Sequence, residues 1–339
     1  MSTENLVLVA NDKGGTISTL RVEEDRLVPV AVSEVGTGCG TFAVDAANDL
    51  VYAATRQPGP AILTLRLDRG TGELTEVARR EVPNPVAYLT LTHATLLAAS
   101  YHGDWGASYP VTDGVVGDPA TTLHAHRMHA AVADPRGESA YFVSLGDDLI
   151  VQRAIAVDSE VVELSEPTVH CTPASGPRHL VISAGGRNAY LITEFTAEAT
   201  RFERLEGGRL ERRETAWAFD RDSGLHQSAY GADPLAGHLI WGADLALADG
   251  ERWLLCTERT ESTVVAVELD EQGHFTGRTV LSHTEQQPRG MTVSPDGSLV
   301  VVVGERSDHA SMYRIDDGAL VRLDRTEVGR GPNWVRFVA

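Results

Sequence analysis

"SGPRHLVISAGGRNAYLITE" (175–194) and "QQPRGMTVSPDGSLVVVVGE" (286–305) decide how this chain is read. Each holds Pro-Arg, an alternating apolar run, a Gly-containing turn, a second apolar run and a closing Glu. In both, the Glu comes sixteen residues after the Arg, Arg178 to Glu194 and Arg289 to Glu305. Alternation at period two marks a β-strand with one buried face, and a Gly turn between two such runs makes a hairpin. A hairpin returns the chain to the edge it left. The spacing therefore predicts Arg178 beside Glu194 and Arg289 beside Glu305.

The same grammar recurs in "TFAVDAANDLVYAATR" (41–56), "YLTLTHATLLAASY" (88–101), "HAAVADPRGESAYFVSLG" (129–146), "DLALADGERWLLCTER" (244–259) and the terminal "NWVRFVA" (333–339). One inward position runs through all of them: Val44, Leu91, Val132, Ile182, Leu247, Val293 and Phe337. The intervals are 47, 41, 50, 65, 46 and 44 residues. A period near 45 built from short alternating strands is that of a β-propeller blade. Seven anchors predict an all-β, seven-bladed β-propeller of four-stranded antiparallel blades. "STVVAVELDEQGHFTGRTVLSHTE" (262–285) displays the outer two strands of one unit.

The last repeat stops after its first strand, while "LVLVANDKGGTISTLRV" (6–22) supplies strands that lack an inner partner. Joining the two ends in one blade closes the ring and removes open sheet edges. The chain thus reads as a single propeller domain over 1–339. The 65-residue interval predicts an insertion over about 211–239, which reads equally as a loop over one face of the disc and as a surface elaboration.

In this geometry the residues just before each inner strand and just after each second strand meet at one mouth of the central channel. That set contains His129, Arg178, His179, Glu194, Asp244, Arg259, Arg289 and Glu305, with Tyr101 and His102 at the end of the second strand of blade two. These are groups that hold an anion and move a proton. Each also has a plainer reading: the Arg–Glu pairs as structural ion pairs, Tyr101 and His102 as turn residues. His124, His126 and His129 are close in sequence, but strand alternation separates His129 from the other two. No carboxylate accompanies them at metal spacing, so no metal site is expected. The glycines at 11–16 and 37–40 have no helix after them and read as turns rather than phosphate loops.

The formal net charge is −19, which argues against nucleic acid or an anionic membrane surface as partner. It leaves open a small anion held by a local arginine cluster. Cys39, Cys171 and Cys256 are odd in number and widely spaced, so a disulfide framework is not expected. The first apolar run, Leu6 to Ala10, is too short for a signal peptide or a membrane span. A soluble, cytoplasmic protein is expected.

The ordered motifs "SGPRHLVIS…AYLITE", "WGADLALADGERWLLCTERTESTVVAVELDEQGHF" and "TEQQPRGMTVSPDGSLVVVVGERSDHASMYRI…VGRGPNWVRF" resemble the bacterial seven-bladed 6-phosphogluconolactonase family. The resemblance runs from near Leu6 to the C-terminus and is weakest over 105–125. The superfamily is similar to the fungal 3-carboxy-cis,cis-muconate lactonizing enzyme, whose proposed site is a His, two Arg and a Glu. By motif these fall on His129, Arg178, Arg289 and Glu194, which the resemblance makes the catalytic group. His179, Arg259, Asp244, Glu305, Tyr101 and His102 are then candidates for binding substrate. Many family members place a His where this chain has Ala246, and two "SPDG"-type turns are altered, at 183–186 and 248–250. These departures bear on substrate identity more than on fold.

The resemblance implies hydrolysis of an anionic sugar lactone of the 6-phosphogluconolactone type, with no metal or organic cofactor. Alternatives are a lactonase for an unphosphorylated or sulfonated sugar lactone, a carboxymuconate-type cycloisomerase, and a propeller that only binds a protein partner.

Overall fold

The computed structural model describes residues 6–338, and the chain folds as the repeat demands. Seven innermost strands stand round a central channel: Thr41–Asp45, Tyr88–Thr92, Met128–Ala133, Pro177–Ile182, Gly242–Ala248, Pro288–Val293 and Pro332–Val338. Each touches the next, and the last touches the first. Each carries one of the seven anchors. Blades are numbered 1 to 7 in this order, so blade 1 spans 41–81 and blade 6 spans 288–327.

Blade 7 joins the two ends of the described chain. Its inner strand Pro332–Val338 pairs antiparallel with Leu6–Asn11, and Thr16–Glu23 and Arg26–Glu34 complete the sheet. Leu6 lies opposite Val338 and Ala10 opposite Trp334. Every residue of Leu6–Asn11 is buried, so the closing strand covers apolar surface as well as a sheet edge.

Burial falls from the channel outward. Second strands such as Leu50–Thr55, Asn188–Thr193 and Trp253–Glu258 are buried at every residue. A sheet wedged between two others has no solvent face there, which explains the near-continuous apolar runs. Outermost strands such as Leu210–Trp217 alternate between exposed and covered residues because the blades splay apart.

Neighbouring blades are also tied at the rim. The outer turn of one blade presents a carbonyl to a hydroxyl of the preceding blade: Thr19 donates to Gly72, Thr64 to Gly114 and Tyr190 to Gly273, each at 2.7 Å, and Tyr141 to Gly208. These glycines have φ of +76° to +87°. A Cβ on Gly273 would lie 2.4 Å from Asn188 Nδ2 and 2.5 Å from Tyr190 Oη, so the joint needs both the left-handed backbone and the missing side chain.

Two details depart from the repeat. In blade 2 the outermost strand is split: Val115–Val116 and Thr121–His124 both pair with Trp105–Thr112. This irregular piece falls where the family resemblance is weakest. The expected insertion at 211–239 divides differently as well. Its first residues belong to the outer strand of blade 4, Leu210–Trp217, and the loop proper begins at 218 and contains a short helix, Pro234–Gly237, capped by Asp233. An exposed outer strand of polar alternation and a polar loop look alike in sequence.

Candidate active site

The ladder between first and second strands breaks register at the same end in five blades. Pairing skips His129 in blade 3, Arg178 in blade 4, Ala243 and Asp244 in blade 5, Arg289 in blade 6 and Asn333 in blade 7. A β-bulge leaves its extra residue outside the ladder and re-aims the side chain. Here most of the re-aimed side chains reach the channel mouth. The residue just past the second strand reaches the same rim: Asp12, Arg56, Tyr101, Glu194, Arg259 and Glu305 occupy that position in their blades.

A cavity of about 390 Å³ results, lined by His129, Arg178, His179, Glu194, Arg259, Arg289, Tyr101 and His102. Eight of the ten residues expected from the sequence therefore meet there. The other two stand behind the lining. Asp244 is buried beneath His179, and Glu305 lies behind Arg289. Asp12, Arg56, Trp241, Asn333 and Trp334 also face the cavity, beyond the residues expected there. Arg56 comes after "VYAAT" as Glu194 comes after "AYLIT", so the repeat carried the signal for it.

Arg178 is held from three sides. Its Nε donates to Glu194 Oε2 at 2.9 Å, its Nη1 donates to the Ala243 carbonyl, and Nη1 lies 3.1 Å from His179 Nε2. Arg259 reaches over from blade 5. Its Nη2 is 3.1 Å from the same Glu194 oxygen and donates to Gly242 O at 3.0 Å, and its guanidinium stacks 3.8 Å from the Trp241 ring centre. Glu194 thus bridges two arginines from adjacent blades. Burial works against its ionisation, but Arg259, Arg178 and Arg289 together hold its carboxyl below the usual range. Arg289 meets Glu305 at 3.3 Å, and Glu305 also meets Lys13 at 3.4 Å.

Two histidines line the floor. His179 Nδ1 is 2.8 Å from Asp244 Oδ1, and Asp244 also accepts the Met291 and Leu245 amides at 2.9 and 3.0 Å. Facing a carboxylate, Nδ1 carries the proton. Burial, then the Arg178 charge, outweigh the Asp244 bond and push the imidazole down to about 4. His179 also packs edge-on against Tyr88, at 5.0 Å between ring centres, and against Trp334, at 5.8 Å. His129 packs against Tyr101 and His179, and its buried Nδ1 has no hydrogen-bond partner among the described residues. Burial and then the surrounding Arg178, His179, Arg289 and Arg259 hold its pKa well below that of free histidine. Both imidazoles are neutral near pH 7.

Four arginines and two carboxylates line this cavity, a net positive wall inside a chain of formal net charge −19. The loop after blade 4 lies on this face. Tyr230 covers Arg127 at 3.4 Å, Gln227 Nε2 donates to Ala174 O at 3.0 Å, and Trp241 at the loop's end lines the cavity. His124 and His126 stay at the surface of blade 2's edge, away from His129, and among the described residues no group of three or more His, Cys, Asp or Glu comes together as a metal site.

Comparison with known proteins agrees with this architecture. The 6-phosphogluconolactonase of Sodalis glossinidius (strain morsitans) is 28% identical over 298 residues, 85% of each chain. That of Klebsiella pneumoniae (strain 342) is 23% identical over 337 residues, 97% of each. The structure of a periplasmic gluconolactonase from Pseudomonas aeruginosa superposes with a TM-score of 0.86 at 22% identity, over 99% of both chains. The model of the family described as "Lactonase, 7-bladed beta-propeller" matches residues 2–337, and the chain belongs to that family.

Proposed function

We propose that this chain is a lactonase that hydrolyses a sugar-acid lactone of the 6-phosphogluconolactone type in the mouth cavity, the whole of 1–339 acting as one domain. One observation carries the reading: a net positive cavity encloses a neutral histidine in an otherwise strongly acidic protein. Such a cavity suits an anionic ester that must be attacked by water. The names of the relatives and the family match support the same reaction class.

Water attacks the lactone carbonyl carbon, a new C–O bond forms, and the carbonyl electron pair moves onto oxygen. Arg178 stabilises that oxyanion, and its fixed bonds to Glu194 and Ala243 leave nothing to reorganise as charge develops. His129 takes one proton from the attacking water, for which a neutral imidazole is required. The proton passes to the ring oxygen as the ring C–O bond breaks, and the open-chain acid then ionises. Glu194 positions Arg178 and Arg259, and Arg289 clamps the anionic end of the substrate. His179, Arg259, Tyr101 and His102 contact the sugar, while Asp244 and Glu305 act through His179 and Arg289. No step in this scheme uses a metal, so turnover is expected to be unchanged by a chelator.

The test is turnover of freshly prepared 6-phosphogluconolactone, alongside unphosphorylated and sulfonated sugar lactones and 3-carboxymuconate. His129→Ala and Arg178→Ala should each lose most of the activity. Wild-type turnover in both variants would remove this site from the reaction. The expected location is the cytoplasm, supported by three buried free cysteines, and cell fractionation decides it. Among the described residues no helix is long and apolar enough to cross a membrane.

A further inference from the structure

The four cavity arginines fall into two groups. The side chains of Arg178 and Arg259 are each 2% exposed, and part of their donor set is taken by Glu194 and by backbone carbonyls. Arg56 and Arg289 are 53% and 35% exposed. Arg289 meets Glu305 through one nitrogen. Among the described residues the one charged group recorded against Arg56 is Asp12, at 3.8 Å, which is too long for a hydrogen bond. Both guanidiniums keep donors for a ligand.

Between them stands Asn333. It lines the cavity from the bulge of blade 7, is 7% exposed, and its buried side-chain Oδ1 has no partner among the described residues. The two ends of a side-chain amide are set by their partners, so an anion at this place would turn the NH₂ toward itself. Asp12 and Glu305 hold Arg56, Lys13 and Arg289 in position, but two carboxylates do not neutralise three cations.

The ring separates Arg56 and Asn333 from the reacting end. Arg289, Asn333 and Arg56 stand on blades 6, 7 and 1. Arg178 and Glu194 stand on blade 4, three steps from blade 7 and three from blade 1. A molecule with its carbonyl at Arg178 and His129 and an anion at its far end would span the cavity. We propose that Arg56 and Asn333 complete, with Arg289, a subsite for a terminal phosphoryl group, and that Arg56 determines selectivity for a phosphorylated lactone. The planar guanidinium fork matches two phosphoryl oxygens at once, which a point charge does not. The proposal rests on the lactonase reading above.

The experiment measures kcat/KM for 6-phosphogluconolactone and for glucono-δ-lactone, and takes their ratio. In Arg56→Met the ratio should fall about tenfold or more, the weight of one charge-assisted phosphoryl contact. In Arg178→Lys both values should fall together and the ratio should hold. A ratio in Arg56→Met within about twofold of wild type overturns the subsite. Thermal shifts with 6-phosphogluconate and gluconate give an independent readout. Wild type should be stabilised more by the phosphorylated acid, and Arg56→Met should lose that difference; equal shifts for both acids in wild type would also overturn it. If wild type hydrolyses neither lactone, the lactonase reading fails and the subsite stands or falls on these shifts alone.

Discussion

Replacing Glu194 by glutamine removes one negative charge and almost no volume, and the geometry around it sets the cost. Glu194 Oε2 accepts from Arg178 at 2.9 Å and lies 3.1 Å from Arg259 Nη2, and both guanidiniums are 2% exposed. With the charge gone, two buried cations face each other with Arg289 close by. Breaking a buried ion pair costs about 3–5 kcal/mol. Glutamine keeps one acceptor oxygen, which favours the lower end, about 3 kcal/mol. At roughly 2 °C per kcal/mol for a long chain, Tm should fall by about 6 °C. Differential scanning calorimetry at pH 7.5 reads this directly. Sulfate or phosphate should restore more stability to Glu194→Gln than to wild type, because an added anion replaces the missing charge. Adding Arg259→Met should cost less in the variant than in wild type, since it removes one of the two opposed cations. A Glu194→Gln protein melting within about 2 °C of wild type would refute a bridging role for this carboxylate.

The buried histidines, the rim glycines and the closing strand each give a further expected outcome. His179 is held down at about 4 and His129 well below 6.5, so between those values the unfolded chain binds protons that the fold does not. Stability should therefore fall as pH drops below 6.5, by up to about 1.4 kcal/mol per unit for each histidine. Urea midpoints from pH 7.5 to 4.5 measure it; His179→Asn, which keeps a donor toward Asp244, should flatten the profile, and an unchanged slope contradicts the assignment. Gly273→Ala strains a φ of +85° and displaces the Tyr190 and Asn188 bonds, a loss of about 2–4 kcal/mol; a Tm equal to wild type would show that the rim joint bears no weight. Ending the chain at Gly331 strips the inner strand from blade 7 and leaves the buried strand Leu6–Asn11 unpaired on one side, so soluble expression should be lost, and a truncated chain that melts like the full one would contradict the closure.

The ring is legible because the strand period and the repeat period are both set by simple geometry. Val44, Leu91, Val132, Ile182, Leu247, Val293 and Phe337 all fall on innermost strands. The sixteen-residue spacing places Arg178 against Glu194 and Arg289 against Glu305, as hairpins require. Arg259 is legible as a mouth residue, but not its reach across to Glu194, because contacts between blades depend on how two sheets splay. Asp244 has the right position in its repeat yet serves His179 from below, since its bulge spans two residues and turns the second inward. Arg56 and Asn333 hold equivalent places in the pattern but lack the paired Arg–Glu spelling that makes blades 4 and 6 conspicuous. The outer strand of blade 4 reads as part of an insertion because its exposed residues are as polar as a loop.

A residue in a ladder answers to its cross-strand partner, its sheet face and the blade packed against it. A residue at one of these five bulges is released from the first two obligations. The propeller therefore carries a set of addresses at which a histidine, an arginine or an asparagine can be exchanged while the register of every blade is kept. Chemistry and folding are written in separate columns of the same repeat. New specificity in such a protein can come from single substitutions at these positions, and a library confined to His129, Arg178, Arg289 and Asn333 would sample cavity chemistry while leaving the apolar strands of the seven blades untouched.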